Sequence, residues 1–213
     1  MPRKHSRVRS KKSKKTTKKK STRRSANSKI RGGGVFSSAV GFLTPKLTDA
    51  TIRRAVKDYL GDGARKKLVV VKYGKINDWD VSKVTNMSSM FKGATSFNEP
   101  LNKWNVSNVR NMWSMFDSAT SFNQPLNHWN VSNVTDMSSL FENAGTKRTT
   151  SFNQPLNNWN VSNVGYMREM FYEATSFNQP LNKWNVSKVR DMNGMFMKAS
   201  SFNQPFHAPW YSS

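Results

Sequence analysis

Hydrophobic positions recur along this chain at a nearly fixed interval. The phrase Trp-Asp-Val-Ser begins at Trp79, and Trp-Asn-Val-Ser begins at Trp104, Trp129, Trp159 and Trp184. The intervals are 25, 25, 30 and 25 residues, and the long interval contains a five-residue insertion within 145–150. A period of this size is typical of repeat proteins, in which each unit packs on its neighbours.

Within each repeat, two apolar patterns predict two elements. In the second copy, Trp104 and Val106 alternate with polar residues, which indicates a short strand. Apolar residues then follow from Met112 to Ala119 at positions i, i+3, i+4 and i+7, which indicates a short helix. We therefore predict an α/β repeat solenoid, leucine-rich-repeat-like, with five repeats of one short strand plus one short helix. Met, Phe and Trp of adjacent copies would form its core.

A helix is also predicted before the first repeat. The segment from Thr48 to Leu60 has one apolar face, a capping residue at its start, and Gly61 and Gly63 after its end. The β-branched run from Leu68 to Val71 predicts a short strand beside it. Together these elements would form an N-terminal helical cap on the open end of the array.

The composition divides the chain into four parts. We assign 1–34 to a disordered basic arm with a Gly hinge, 35–78 to an apolar linker and the N-terminal capping helix and strand, 79–209 to the five-repeat solenoid, and 210–213 to the C-terminal end. The apolar run Val35–Leu43 is expected to pack on the body rather than insert into a partner or lipid surface.

Positive charge is concentrated at the N-terminus. The net charge is +23, and residues 1–31 contain 15 of the 35 Lys and Arg residues and no acidic residue. Such a segment cannot form a core, so we expect a disordered tail that neutralises phosphates of nucleic acid or another polyanion. The predicted anionic-partner residues are Arg3, Lys4, Arg7, Arg9, Lys11, Lys12, Lys14, Lys15, Lys18, Lys19, Lys20, Arg23 and Arg24. A solubilising or nuclear-import role is the alternative for this arm.

Polar residues at fixed repeat positions suggest two further roles. Asp80, Asn105, Asn130, Asn160 and Asn185 would form a candidate protein-binding face, with Lys103, His128, Asn158 and Lys183 beside it. The C-terminal Trp210 and Tyr211 would extend this face by docking against a partner. A third set, Asn98, Asn123, Asn153, Asn178 and Asn203, could instead form a ladder that bonds the backbone of the next repeat.

Signals for catalysis are absent from the sequence. There is no Cys, and His5, His128 and His207 are scattered without metal-ligand spacing. No phosphate-binding loop, dinucleotide fingerprint or nucleophile elbow occurs. We therefore expect no enzyme activity, no cofactor and no metal. We also predict no transmembrane segment and no conventional signal peptide, which leaves localisation open and favours a virion or the nucleus or cytoplasm over secretion.

The repeat motif W-N-V-S-N-V-x-x-M-x-x-M-F-x-x-A-x-S-F-N-Q-P-L resembles that of a known family. It is similar to the 25-residue repeat of the BspA-like leucine-rich repeat surface proteins, also catalogued as a mycoplasma-type repeat of unknown function. The resemblance covers about residues 48–210. It implies a leucine-rich-repeat-like solenoid, a role in surface contact and no catalysis. Related repeats occur in large DNA viruses, so the resemblance extends to a virus-encoded member.

These observations favour a non-enzymatic structural or interaction protein. The repeats would contact protein partners while the Lys/Arg-rich arm contacts an anionic partner, as in a virion or particle component. A nucleic-acid-binding nuclear or chromatin-associated protein is the first alternative, with the arm as the main binding element. An exported surface adhesin is the second.

Overall fold

The computed structural model describes residues 45–143 and 151–206 of the chain. Two α-helices come first, α1 (Asp49–Leu60) and α2 (Gly63–Tyr73), followed by a short 3-10 helix, Ile76–Asp78. Beyond them, the repeats form coils made of turns, which stack in chain order. Isolated parallel bridges connect successive coils, joining Asn86, Asn111, Asp136, Tyr166 and Asp191 in turn.

Helix α1 confirms the prediction made for this segment. The Thr48 backbone N–H donates to Thr51 Oγ1 at 3.0 Å, so the polar group at the N-cap is satisfied. The apolar face of the helix is buried through Ile52, Ala55, Val56 and Tyr59. The Tyr59 ring meets the Trp79 ring edge-on at 5.4 Å, which places α1 against the first repeat.

Helix α2 replaces the strand that was predicted from Leu68 to Val71, and that prediction is wrong. The residues before the valines, Ala64 to Lys67, are good helix formers. Val69 and Tyr73 lie one helical turn apart, and both are buried. Because this pair packs against α1 and Trp79, tertiary contacts outweigh the β-propensity of the run.

Each coil is a succession of tight turns with apolar residues at both ends of each turn. The backbone N–H of one apolar residue donates to the carbonyl three residues earlier. In the second copy these bonds join Trp104 to Leu101, Val109 to Val106, Met115 to Met112 and Ala119 to Phe116, at 2.9 to 3.1 Å. Turns of this kind point successive apolar side chains into the coil, where they are buried.

The predicted α/β repeat solenoid, with one strand and one helix in each repeat, is therefore wrong. Within residues 45–143 and 151–206 the repeats contain neither a strand nor a helix. Ser114 and Ser118 adopt left-handed backbone, with φ of 53° and 58°, which interrupts a right-handed helix. The N–H groups of Met112 and Ser114 both donate at 2.9 Å to the next coil instead of to their own turn.

Stacked aromatic rings form the core between coils. One column of Phe rings has neighbouring centroids 5.4 to 5.7 Å apart, and a second column has them 5.8 to 6.1 Å apart. The first column contains Phe91, Phe116, Phe141, Phe171 and Phe196, and the second contains Phe97, Phe122, Phe152, Phe177 and Phe202. Since rings of successive copies meet directly, the copies lie side by side, as the sequence period predicts.

The N-terminal end of the stack is closed by two side chains of α1. Asp49 accepts the backbone N–H groups of Thr85 and Asn86. Arg53 donates from one guanidinium nitrogen to the carbonyl of Ser88 at 2.6 Å. In later repeats, the equivalent backbone groups bond to the preceding coil. The first repeat has no preceding coil, so α1 provides these hydrogen bonds instead.

Candidate functional site

The candidate protein-binding face lies on the outside of the coils, directly after each buried Trp. We call Asp80, Asn105, Asn130, Asn160 and Asn185 the asparagine row. The four Asn side chains are exposed and Asp80 is half-buried. Successive coils are held together beside the row, where the Asn133 side chain donates to the Ser107 carbonyl at 2.7 Å. The structure therefore places the five predicted residues in one column.

Each member of the row forms a local turn that the sequence analysis missed. Asn130 Oδ1 accepts the backbone N–H of Ser132 at 3.1 Å and the Ser132 hydroxyl at 2.7 Å. Asp80 makes the same two bonds with Ser82, at 3.0 and 2.6 Å. These Asx turns fix each side chain in place. They occupy the oxygen and leave the exposed Asn Nδ2 groups as donors without a partner among residues 45–143 and 151–206.

A shallow groove runs along the C-terminal part of the row. It encloses about 350 Å³ and is lined by Asn158, Asn160, Lys183 and Asn185 together with Asn157, Trp159 and Val161. Asn157 Oδ1 accepts the Lys183 backbone N–H at 3.0 Å, which fixes the two coils at this point. The groove walls thus present amide groups and an ammonium group, which can bind acceptor groups on a partner.

Charge on the row is positive at its C-terminal end and balanced at its start. A hydrogen bond from the Ser82 hydroxyl lowers the pKa of Asp80, more than desolvation raises it, and Lys46 at 3.4 Å lowers it further. Lys103 is paired with Asp78 at 2.6 Å. Lys183 makes no ion pair with any residue that the structure describes, so its charge is available to a partner.

The asparagines that follow Phe97, Phe122, Phe152, Phe177 and Phe202 form the ladder predicted from the sequence. Asn123 Oδ1 accepts the backbone N–H of Asn153 at 3.0 Å, and Asn153 Oδ1 accepts that of Asn178 at 2.9 Å. From Asn123 onward, the Gln after each Asn donates its side-chain amide to the Asn oxygen of the preceding coil, as Gln179 does to Asn153 at 3.1 Å. The side-chain oxygens of Asn98, Asn123, Asn153 and Asn178 each accept two such bonds, so they have no free capacity for a ligand.

Other predicted site residues lie outside the part of the chain that the structure describes. They are the thirteen basic residues of the arm, from Arg3 to Arg24, and the C-terminal Trp210 and Tyr211. His128 is exposed beside the asparagine row. Across residues 45–143 and 151–206, no group of three His, Asp or Glu side chains could hold a metal ion, and no helix is long and apolar enough to cross a bilayer.

Two exposed aromatic residues were also missed by the sequence analysis. Trp113 and Tyr166 are each 46% exposed, whereas the repeat tryptophans Trp79, Trp104, Trp129, Trp159 and Trp184 are 2 to 6% exposed. Tyr166 stands where the other copies have Asn or Asp, and Trp113 stands where they have Ser, Arg or Asn. This departure from the repeat pattern is the signal that could have identified them.

Comparison with known proteins gives a single family match. The model described as "Mycoplasma protein of unknown function, DUF285" matches residues 66–146 and again residues 146–212. No curated protein and no solved structure matches the chain. The two matched segments together contain all five copies of the repeat.

Proposed function

This chain belongs to the DUF285 family, the BspA-like repeat family of unknown function, and from that premise we propose that it is a non-enzymatic interaction protein. Its stacked repeats contact protein partners through the asparagine row, and its N-terminal arm contacts an anionic partner. A rigid repeat module with a cationic arm suits a virion or another assembled particle, and we propose a viral member of the family on that ground.

The observation that carries the proposal is the repetition of one exposed donor on successive coils. Each Asn of the row is held by its Asx turn, as with Asn130 on Ser132, so little side-chain freedom is lost on binding. Neighbouring coils place these donors at intervals of ~5 Å. A partner with a matching row of acceptors gains several hydrogen bonds at once.

The arm supports a second, anionic contact. Its 15 Lys and Arg residues within residues 1–31 would bind a polyanion with strong salt dependence. The same charge also favours the alternative of a nucleic-acid-binding nuclear or chromatin-associated protein, in which the arm is the main binding element. An exported adhesin, in which the row alone contacts a surface, is the remaining alternative.

The row is tested with Asn130→Asp and Asn160→Asp combined. Asp80 forms the same turn, so the double variant should fold normally while it loses two donors and gains two negative charges. A matched control adds two charges elsewhere, with Ser96→Asp and Ser201→Asp at exposed positions of another face. In cross-linking mass spectrometry of the full chain in its native setting, cross-links to the partner should disappear in the first variant alone. Equal cross-link yields from both variants would refute the row as a binding surface.

Deleting residues 1–31 distinguishes the interaction protein from the nucleic-acid-binding alternative. Retained assembly with reduced salt sensitivity supports the interaction protein. Loss of all localisation supports the nucleic-acid-binding alternative instead. Detection of the protein on the surface of intact cells would support the adhesin.

A further inference from the structure

A second surface of the coils carries a set of side chains that stacking does not require. We define the bridge face as residues 85–88, 110–113, 135–138, 165–168 and 190–193, which flank the parallel bridges. Because the bridges fix the backbone here, the side chains of successive coils stand in aligned columns. Trp113 and Tyr166 both lie on this face, two coils apart, which corresponds to ~10 Å.

Tyr166 replaces a residue that the fold uses in other copies. At the equivalent positions, Asn111 Oδ1 accepts the Trp113 N–H at 2.8 Å, and Asp136 Oδ1 accepts the Ser138 N–H at 2.9 Å. A Tyr side chain cannot form this Asx turn. The copy with Tyr166 thus gives up a stabilising hydrogen bond and presents an aromatic ring, 46% exposed, in its place.

Trp113 lies on the neighbouring column and also departs from the repeat pattern. Its equivalents are small or polar: Ser88, Ser138, Arg168 and Asn193. The stack needs no large side chain at this position, and the indole is 46% exposed. An exposed indole that the stack does not require is a candidate contact residue, because Trp is enriched among the residues that dominate interfaces.

Cationic side chains lie on the same face as the two rings. Arg110 and Arg190 are exposed, and neither forms an ion pair with any residue in the described ranges. Arg168 is exposed too and meets Glu169 at 3.1 Å. Guanidinium groups bind carboxylates through paired hydrogen bonds. The rings and the two unpaired guanidinium groups therefore suit a partner that combines acidic and apolar groups.

We propose that the bridge face binds an acidic peptide segment of a partner protein, with Trp113 and Tyr166 as the apolar contacts and Arg110 and Arg190 as the carboxylate contacts. Trp, Tyr and Arg are the residues that most often dominate protein interfaces. Asp136 and Asp191 lie half-buried on the same face and repel any anion placed beside them. A peptide can set uncharged residues or N–H donors against them, whereas a nucleic acid carries a negative charge on every nucleotide, so the face suits a peptide better. The inference rests on the proposed function, because it names a second surface for a protein partner.

The test uses variants that restore the repeat pattern, Trp113→Ser and Tyr166→Asn, combined in the full chain. A random-peptide display library is first depleted on this Trp113→Ser, Tyr166→Asn double variant, which retains the basic arm. The remaining peptides are then selected on the wild-type chain. Peptides rich in Asp and Glu should be enriched, and they should bind the wild type at least about tenfold more tightly than the double variant. A parallel library without Asp and Glu should yield no such peptides.

Two further measurements make the outcome decisive. The double variant should melt at or above the wild-type temperature, because Asn at 166 can restore the Asx turn. In a Trp210→Phe background, an enriched peptide should protect Trp113 fluorescence from iodide. Equal enrichment in both libraries, or no protection, would overturn the proposal.

The remaining outcomes separate this surface from the asparagine row. His128→Asn, which copies Asn158 beside the row, should leave peptide binding unchanged. If the depletion step instead removes the acidic peptides, and these bind the Trp113→Ser, Tyr166→Asn variant but not the row variant Asn130→Asp with Asn160→Asp, the bridge face is overturned and the proposed function stands. Preferential binding of an oligothymidylate to the wild type over the double variant, without peptide enrichment, would identify a nucleic-acid site and also overturn the inference.

Discussion

Asp49 Oδ1 accepts the backbone N–H of Thr85 at 2.8 Å, the same distance at which the Thr85 carbonyl accepts the N–H of Arg110 in the next coil. The carboxylate also accepts the Asn86 N–H at 3.0 Å and the Thr85 hydroxyl at 2.6 Å. One side chain of α1 thus imitates the carbonyl of a preceding coil. Because of this contact, the backbone N–H groups of Thr85 and Asn86 are hydrogen-bonded although no coil precedes the first repeat.

Replacing Asp49 by Ala should destabilise the first coil. Two backbone N–H groups and a hydroxyl would lose their charged acceptor, which costs about 1–3 kcal/mol. Chemical denaturation followed by tryptophan fluorescence measures the free energy of unfolding. Asn at this position keeps one acceptor oxygen and should lose less. An Ala variant as stable as the wild type would show that water replaces the carboxylate fully.

The same contact predicts a pH dependence. Desolvation would raise the pKa of Asp49, but hydrogen bonds from Thr85 and Asn86 and the charge of Arg53 lower it overall. A carboxyl group with a lowered folded-state pKa stabilises the fold above its unfolded pKa, and this contribution is lost as the pH falls through the folded value. The difference in melting temperature between wild type and Asp49→Asn should therefore narrow on acidification. A constant difference would contradict this assignment.

The asparagine ladder predicts that two substitutions of Asn153 will differ in their effect on stability. Its Oδ1 accepts the Asn178 N–H at 2.9 Å and the Gln179 amide at 3.1 Å. Ala would leave the half-buried donors of the next coil without an acceptor, at a cost of about 1–3 kcal/mol. Asp keeps an acceptor at this position and is the matched control. Thermal melts of the two variants should differ clearly; equal melts would indicate that the ladder adds no stability.

A buried carboxylate lies between the first two coils. Asp117 is 1% exposed, and its Oδ2 meets Lys92 Nζ at 2.6 Å. Lys92→Met would leave this charge without its cation, and since Lys92 is half-exposed we expect a loss of about 2 kcal/mol. Adding Asp117→Asn removes the unpaired charge and should recover part of the loss. A double-mutant cycle measures the coupling, and a value near zero would contradict the pairing.

Glu142 should show the opposite pH response to Asp49. Burial raises its pKa, a hydrogen bond from Ser139 opposes this, and the charges of Asp117 and Glu169 raise it further. A carboxyl group with a raised folded-state pKa favours folding most below its unfolded pKa, and this advantage is lost as the pH rises through the folded value. Glu142→Gln should therefore raise the melting temperature at neutral pH, with the gain vanishing in acid. A lower melting temperature at neutral pH would refute this.

Sequence patterns predicted the stacking of the copies but not the backbone within them. The spacing from Met112 to Ala119 fits a helix, yet it also fits consecutive turns whose ends are three residues apart. Left-handed backbone at Ser114 and Ser118 decides between them, and nothing about a serine predicts that conformation. Stacking also depends on hydrogen bonds between residues about 25 positions apart, which local propensity does not report.

The candidate surfaces were also predictable from the sequence only in part. Exposure of Asn130 and its equivalents follows from their place between buried residues, so the asparagine row was predictable. Its Asx turns depend on the Ser two residues later and were overlooked. Tyr166 is informative only once the turn made by its equivalents, such as Asp136, is known from the structure.

The long third interval has a practical consequence for protein engineering. Phe141 and Phe152 are 11 residues apart and still stack at 4.0 Å, while Phe116 and Phe122 reach 4.1 Å across six residues. The Phe–Phe stacking distance across the insertion is therefore almost the same as in a copy without it. The insertion is therefore a natural grafting point, where an epitope tag or a fluorophore-bearing peptide could be displayed without loss of the surrounding stack.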